Sequence, residues 1–189
     1  MDTDMMIIYI SAVWGILEIL LALIKWTRIE DSNNLDRFSF KMLWITVSAS
    51  LLLAVYFKIE NIGALDFGNP LLQVCGAILI MMGIIVRWSS VLTLRRYVYP
   101  DFAVSYEYHI IQKGFYGSLR HPAYAGSLIS FLGLGLGLSN WISLLVLIIP
   151  TTCAFIYRAV VEDRKLAGLL GDDYNTYMDT TDRIIPPIL

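Results

Sequence analysis

An all-α integral membrane bundle of five transmembrane helices is the fold that this sequence predicts. Three observations carry the prediction. Hydrophobic residues make up 57% of the chain and charged residues 16%, where a soluble domain carries about 25% charged. The mean hydropathy is +0.65. The apolar residues fall in long unbroken runs rather than in alternation, which argues for helices and against a barrel of strands.

The first run is Met5–Trp26, interrupted only by Glu18. The residues before it are acidic, and no small-residue cleavage site follows it, so a retained helix is expected rather than a secretory signal. A polar connection from Arg28 to Arg37 leads to the second run, Lys41–Phe57. A turn containing Gly63, Gly68 and Pro70 precedes the third, Leu71–Leu94, which carries Arg87. Ala123–Leu138 and Trp141–Tyr157 are the fourth and fifth. Ser139-Asn140 between them leaves room only for a tight turn, which predicts an antiparallel helical hairpin. Runs two, four and five are slightly short of the about 20 residues of a perpendicular span, and flanking Trp, Tyr and Lys extend them. Gly133 and Gly137, four apart, predict close helix packing, and Pro150 predicts a kink in the fifth helix. Residues 1–189 read as one membrane domain, with two accessory helices in 1–60 and a core in 71–189.

Basic residues cluster in the connection after the first run, in the connection after the third, and in the tail, while the opposite side holds only Lys58. The positive-inside rule then places the N-terminus outside and the C-terminus in the cytoplasm. The net charge of −2 and the lack of a basic run exclude a nucleic-acid footprint. Cys75 and Cys153 sit inside apolar runs and are expected to be small buried hydrophobes rather than a disulfide. His109 and His121 are the only histidines, and no metal-ligand spacing exists.

The connection Arg95–Pro122 is far longer than the about 2–8 residues of a helix–helix link, which points to function. Its end, Gly114 to Gly126, sets Tyr116, Arg120, His121 and Tyr124 at the foot of the fourth helix, with Pro122 suited to its first turn. A second polar cluster follows the last run: Arg158, Glu162, Asp163, Tyr174, Tyr177, Arg183 and Pro186. The two bracket one hairpin and read as halves of a single site. Each piece also has a plainer account. Arg120 and His121 are suited to anchoring at an interface, and the tyrosines to an aromatic belt. Arg158 and Glu162 are spaced for an intrahelical ion pair, or for a division in which Glu162 accepts from a cofactor and Arg158 holds an anionic substrate. Glu18 and Arg87 are expected to pair with each other or with lipid headgroups. Gly171 to Tyr177 reads as a turn and a short amphipathic element on the membrane face.

Taken together, these residues resemble the isoprenylcysteine carboxyl methyltransferase family and its phospholipid N-methyltransferase relatives. The family's Gly-x-Tyr-x-x-x-Arg-His-Pro-x-Tyr-x-Gly run is complete from Gly114 to Gly126. Its Arg-x-x-x-Glu-[Glu/Asp] motif is matched by Arg158, Glu162 and Asp163, and Leu166, Gly171, Tyr174, Tyr177, Arg183 and Pro186 keep the family's order in the tail. Arg87-Trp88 and Leu94 match more loosely, and the first two helices match in hydropathy alone. The family usually places His where this chain has Tyr108, with His109 one position later.

The resemblance implies S-adenosylmethionine as methyl donor, held in a cytoplasmic pocket that loop and tail close. Carried over residue by residue, Tyr116, His121, Pro122, Ala123, Tyr124 and Glu162 contact the cofactor. Tyr108, His109, Ile110 and Ile111 contribute through backbone groups. Arg158 faces the substrate and forms the catalytic pair with Glu162. The implied acceptor is lipophilic, a small molecule or a prenylated chain reaching the site from membrane lipid, with an isoprenylcysteine-like carboxylate first and a phospholipid amine or a small thiol as the alternative. A carboxylate acceptor needs alignment rather than a base, and alignment alone can supply effective molarities up to about 10⁵–10⁸ M; an amine or thiol needs a proton acceptor, for which Glu162 and Tyr124 are the candidates. Outside that class stand a nicotinamide-dependent membrane reductase and a non-catalytic membrane scaffold.

Overall fold

The computed structural model describes residues 3–29, 34–65, 69–98 and 110–185. Tyr108, His109 and Pro186 lie outside the described residues. The described elements are helices α1 (Thr3–Ile29), α2 (Asn34–Ile59), α3 (Asn69–Val98), α4 (Pro122–Gly137), α5 (Trp141–Leu170) and α6 (Asp172–Thr180), with a 3₁₀ turn at Gly114–Gly117 before α4. No strand occurs among the described residues, only the isolated bridges Ala64–Asn140 and Leu119–Asp182.

Among the described residues, three stretches are long and apolar enough to cross a membrane: Arg37–Ile59, Pro70–Leu94 and Trp141–Leu170. The apolar helices Met5–Leu21 and Pro122–Gly137 are shorter. The brevity of α4 has a local cause at each end. Pro122, at the first helical position after the His121 cap, fixes its start. At its other end Ser139 takes a left-handed φ of 49°, and Asn140 caps α5 by accepting from the Ser143 amide at 2.9 Å. The Asn140 amide group also donates to the Ile62 carbonyl at 2.9 Å, tying this turn to the end of α2.

α3 and α4 form the closest pair, and glycine is the reason. A Cβ on Gly133 would stand 2.6 Å from the Gly76 carbonyl oxygen and 2.7 Å from the Ile80 nitrogen. One on Gly126 would stand 2.7 Å from the Arg87 nitrogen. Backbone meets backbone along this seam, the small-residue packing expected of membrane helices. α2 packs on α5, and α1 on α3. Trp14 of α1 meets Phe131 of α4 edge to face, ring centroids 5.0 Å apart, inside a core that includes Leu43, Ile80, Leu128, Leu147 and Phe155. α5 continues through Pro150 without interruption.

One expectation changes. Cys75 and Cys153 are free, as expected, yet both are exposed rather than buried, because the faces of α3 and α5 that carry them point away from the bundle. The tail element is a formed helix, α6, entered through Gly171 at φ 62°.

Candidate functional site

At 1.5 Å per residue, the 30 residues of α5 reach about 45 Å, beyond the about 30 Å of a hydrocarbon core. The polar end of α5, from Arg158 onward, therefore has room to stand clear of the apolar layer. There it meets the first turn of α4, and the two motif clusters come together.

Asp163 lies at the centre. Its Oδ1 is 2.7 Å from His121 Nε2 and accepts from the Tyr174 hydroxyl at 2.9 Å. Its Oδ2 accepts from Arg183 Nε at 3.0 Å and lies 3.6 Å from Arg120 Nε. Only 5% of the Asp163 side chain is exposed. The neighbouring Glu162 turns toward the bundle. Its Oε2 accepts from the Tyr124 hydroxyl at 2.7 Å and lies 3.5 Å from His121 Nδ1. Its Oε1 accepts from Arg158 Nε at 3.0 Å and Nη2 at 2.8 Å. The expected intrahelical pair is thus present. Arg158 extends beyond it, donating from Nη1 to the Ser39 hydroxyl at 2.6 Å, with its guanidinium carbon 5.8 Å from the Phe40 ring centroid. α2 supplies both partners.

The tail is strapped to the start of α4 by backbone bonds. Arg120 N–H donates to the Asp182 carbonyl at 2.8 Å, His121 N–H to that of Arg183 at 2.9 Å, and Asp182 N–H to that of Ser118 at 3.0 Å. Arg120 adds Nη1 bonds to the carbonyls of Met178, at 2.9 Å, and Thr181. The Tyr177 hydroxyl donates to the Tyr116 carbonyl at 2.7 Å, and the Tyr116 hydroxyl to the Ser90 carbonyl at 3.3 Å.

His121 sits between two carboxylates and stacks on Tyr124, ring centroids 5.3 Å apart. Burial acts to lower its pKa, but hydrogen bonds and charge from Asp163 and Glu162 outweigh it and hold the pKa above the usual 6.5. Burial raises the Tyr116, Tyr174 and Tyr177 phenols, Tyr177 to about 12, so all three are neutral donors at physiological pH. The His121 shift has a testable sign. A raised folded pKa contributes stability that is complete below the unfolded pKa and is lost as pH rises through the folded one. The thermal midpoint of the wild type is therefore expected to fall as pH climbs above 6.5, and His121→Gln to flatten that fall; identical pH profiles would refute the arrangement.

Of the residues that the sequence points to, Tyr116, His121, Pro122, Tyr124, Arg158 and Asp163 are buried together, with Ala123 and Glu162 half-buried beside them. Ile110 and Ile111 are half-buried ahead of the 3₁₀ turn. Arg87 pairs with Glu18, Nε to Oε1 2.5 Å, as expected. Sequence reasoning misses Ser39 and Phe40. No local signal marks them, because each becomes relevant only through α2–α5 packing.

The Glu162 carboxylate, which can only accept, suits a cationic or hydroxyl-bearing ligand. Glu162 is the more open of the two carboxylates beside His121, with 23% of its side chain exposed against 5% for Asp163. Its carboxylate is held in place by Tyr124 and Arg158, and the aromatic faces of Tyr116 and Tyr124 are close by. Among the described residues no His/Cys/Asp/Glu group could hold a metal ion. Beside Tyr124 an apolar cavity of about 260 Å³ opens between the helices, walled by Trp14, Phe40, Val47, Phe131 and Phe155 and bordered by Glu18 and Arg87.

A family model described as phospholipid methyltransferase matches residues 71–173, more than half of the chain. The chain is similar to protein-S-isoprenylcysteine O-methyltransferase A of Arabidopsis thaliana, 28% identical over 113 residues, which is 59% of this chain and 57% of that protein. It is 27% identical over 113 residues to form B from the same plant, with the same coverage. It is 32% identical over 79 residues to protein-S-isoprenylcysteine O-methyltransferase of Schizosaccharomyces pombe, 42% of this chain and 34% of that one. The matches thus span little more than half the length of the plant relatives and a third of the yeast one.

Proposed function

The chain belongs to the phospholipid methyltransferase family, and from that premise we propose that it transfers a methyl group from S-adenosylmethionine to a lipophilic acceptor, an isoprenylcysteine-like carboxylate first among the candidates. The observation that carries the reading is the meeting of the two motif clusters: Glu162, fixed by Tyr124 and Arg158, stands 3.5 Å from His121 at the start of α4.

When bound, S-adenosylmethionine supplies an electrophilic methyl on its sulfonium. Tyr116, His121, Pro122, Ala123, Tyr124 and Glu162 are the side that holds it, with Ile110 and Ile111 ahead of them in the chain. Glu162 offers a carboxylate to its cationic and hydroxyl groups. His121, between two carboxylates, is 3.5 Å from Glu162 and orients it. Arg158, whose guanidinium carbon is 5.8 Å from the ring of the cavity-lining Phe40, is the group that would take an acceptor carboxylate, by exchange for its present partners. The cavity takes the acceptor's body and excludes water from the reacting end. A carboxylate acceptor then needs only alignment. A phospholipid amine is the second reading, favoured by the family's description; it needs a proton acceptor, for which Glu162 is placed.

The same reading makes α1 to α5 five spans with α4 and α5 a hairpin, 1–60 an accessory pair and 71–189 the core. The basic residues then place the site and tail in the cytoplasm and the N-terminus outside.

The test is calorimetric binding of S-adenosylhomocysteine to detergent-purified protein. Wild type is expected to bind. Glu162→Ala removes charge-assisted hydrogen bonds worth about 1.5–3 kcal/mol, and binding is expected to weaken about tenfold or more, with Glu162→Gln between the two. A folded wild type that does not bind sinks the reading.

A further inference from the structure

The cavity beside Tyr124 has walls of two origins. Tyr124, Phe131 and Phe155 belong to the stretch that the family model matches, whereas Trp14, Glu18 and Phe40 come from α1 and α2, outside it. Much of the cavity wall therefore comes from helices outside the family-matched stretch. Its volume, about 260 Å³, lies just under the roughly 300–1,000 Å³ of ordinary ligand pockets, which suits a compact body.

The wall is mostly apolar, with Ser48, Ser127 and Tyr124 as its neutral polar residues, and it is charged at one place. Glu18 and Arg87 pair there, with 16% and 10% of their side chains exposed. An ion pair among membrane helices is costly, and apolar side chains of similar volume would serve packing as well or better. Arg87 uses Nη1 on the Ala123 carbonyl at 3.0 Å, one residue from Tyr124, and its closest approach to Glu18 is to Oε1. An ionised carboxylate has about four lone-pair sites and no donor. What Glu18 can still take is a hydrogen, and it borders the cavity.

We propose that Glu18, its charge balanced by Arg87, is a specificity-determining residue that accepts a hydrogen bond from an O–H or N–H group on the lipophilic body of the acceptor, near the methylated end. The acceptor class is then a compact lipophile with a hydrogen-bond donor along it, rather than a bare hydrocarbon chain. The inference rests on the methyltransferase reading only in calling this ligand the acceptor.

The experiment uses the full chain in nanodiscs and (dodecylthio)acetate, a thioether carboxylate, as probe, with positional isomers that carry one hydroxyl at successive chain carbons. Each isomer competes against the tritiated parent. Isomers partition similarly into lipid, so differences among them report the site. One isomer is expected to bind about tenfold tighter than the rest. The double variant Glu18→Leu/Arg87→Leu is expected to abolish that preference. Removing both charges leaves neither unpaired, so the variant is expected to fold, and retained binding of S-adenosylhomocysteine checks that it does. A flat ranking in wild type, no binding by any isomer, or the same preference in the double variant overturns the proposal. Failure of the methyltransferase reading looks different: wild type shows no S-adenosylhomocysteine binding while the isomer ranking stands.

Discussion

Asp163→Ala is expected to cost about 3–5 kcal/mol of stability, the cost of breaking a buried ion pair by removing one partner. The carboxylate satisfies His121 and Tyr174 with one oxygen and Arg183 with the other, with Arg120 at 3.6 Å. Without it, three cationic side chains share a poorly solvated space, and the tail loses the side-chain anchor that supplements its backbone bonds to the start of α4. The measurement is thermal unfolding in detergent, with limited proteolysis of the tail as a local readout. Asp163→Asn keeps the shape and is expected to lose less. A double-mutant cycle with His121→Ala isolates the pair term, since neighbours in one network are not additive. A drop in midpoint no larger than that of an ordinary surface substitution would show that Asp163 is not the hub described.

Gly133→Leu is the second large effect. The new Cβ would stand within 2.6–2.7 Å of the Gly76 carbonyl oxygen and the Ile80 nitrogen, so it is backbone, not a flexible side chain, that must yield. Overpacking commonly costs about 1–3 kcal/mol. The upper end or beyond is expected here, because α3 must move away from α4 along the whole seam. Tyr124 is two residues from Gly126 on that same seam, and its hydroxyl holds Glu162, so S-adenosylhomocysteine binding is expected to fall along with stability. Gly168→Ala is the control: nothing lies within 4 Å of its added Cβ, and alanine favours a helix by about 1 kcal/mol. Equal midpoints for the two variants would contradict the close α3–α4 approach.

Much of the site is legible in the sequence because its chemistry is written in short range. Arg120-His121-Pro122 and Arg158/Glu162 are each readable as local patterns, and Pro122 begins α4 as its fixed φ predicts. The Glu18–Arg87 pair is legible too, since charges in apolar runs seek each other. The role of Asp163 is not. Nothing in the spacing of Glu162 and Asp163 says which turns to the bundle and which to the tail; the answer depends on where α4 and the tail sit around α5. The exposure of Cys75 and Cys153 escapes sequence reasoning for a related reason. In a membrane protein both the interior and the lipid-facing surface are apolar, so hydropathy does not distinguish them.

By itself the sequence determined the all-helical membrane class, the apolar runs at the heart of the helices, the start of α4 at Pro122 and the two motif clusters, because run length, proline geometry and local spacing are properties of neighbouring residues. Only the tertiary structure decided that Arg158 reaches Ser39, 119 residues away, and that Tyr177 reaches Tyr116, 61 residues away. It alone also decided that α1 and α2 complete a cavity against Tyr124. Those contacts depend on how glycine seams and aromatic faces set the helices against one another, and side-chain packing of that kind has no signature in a single stretch of chain.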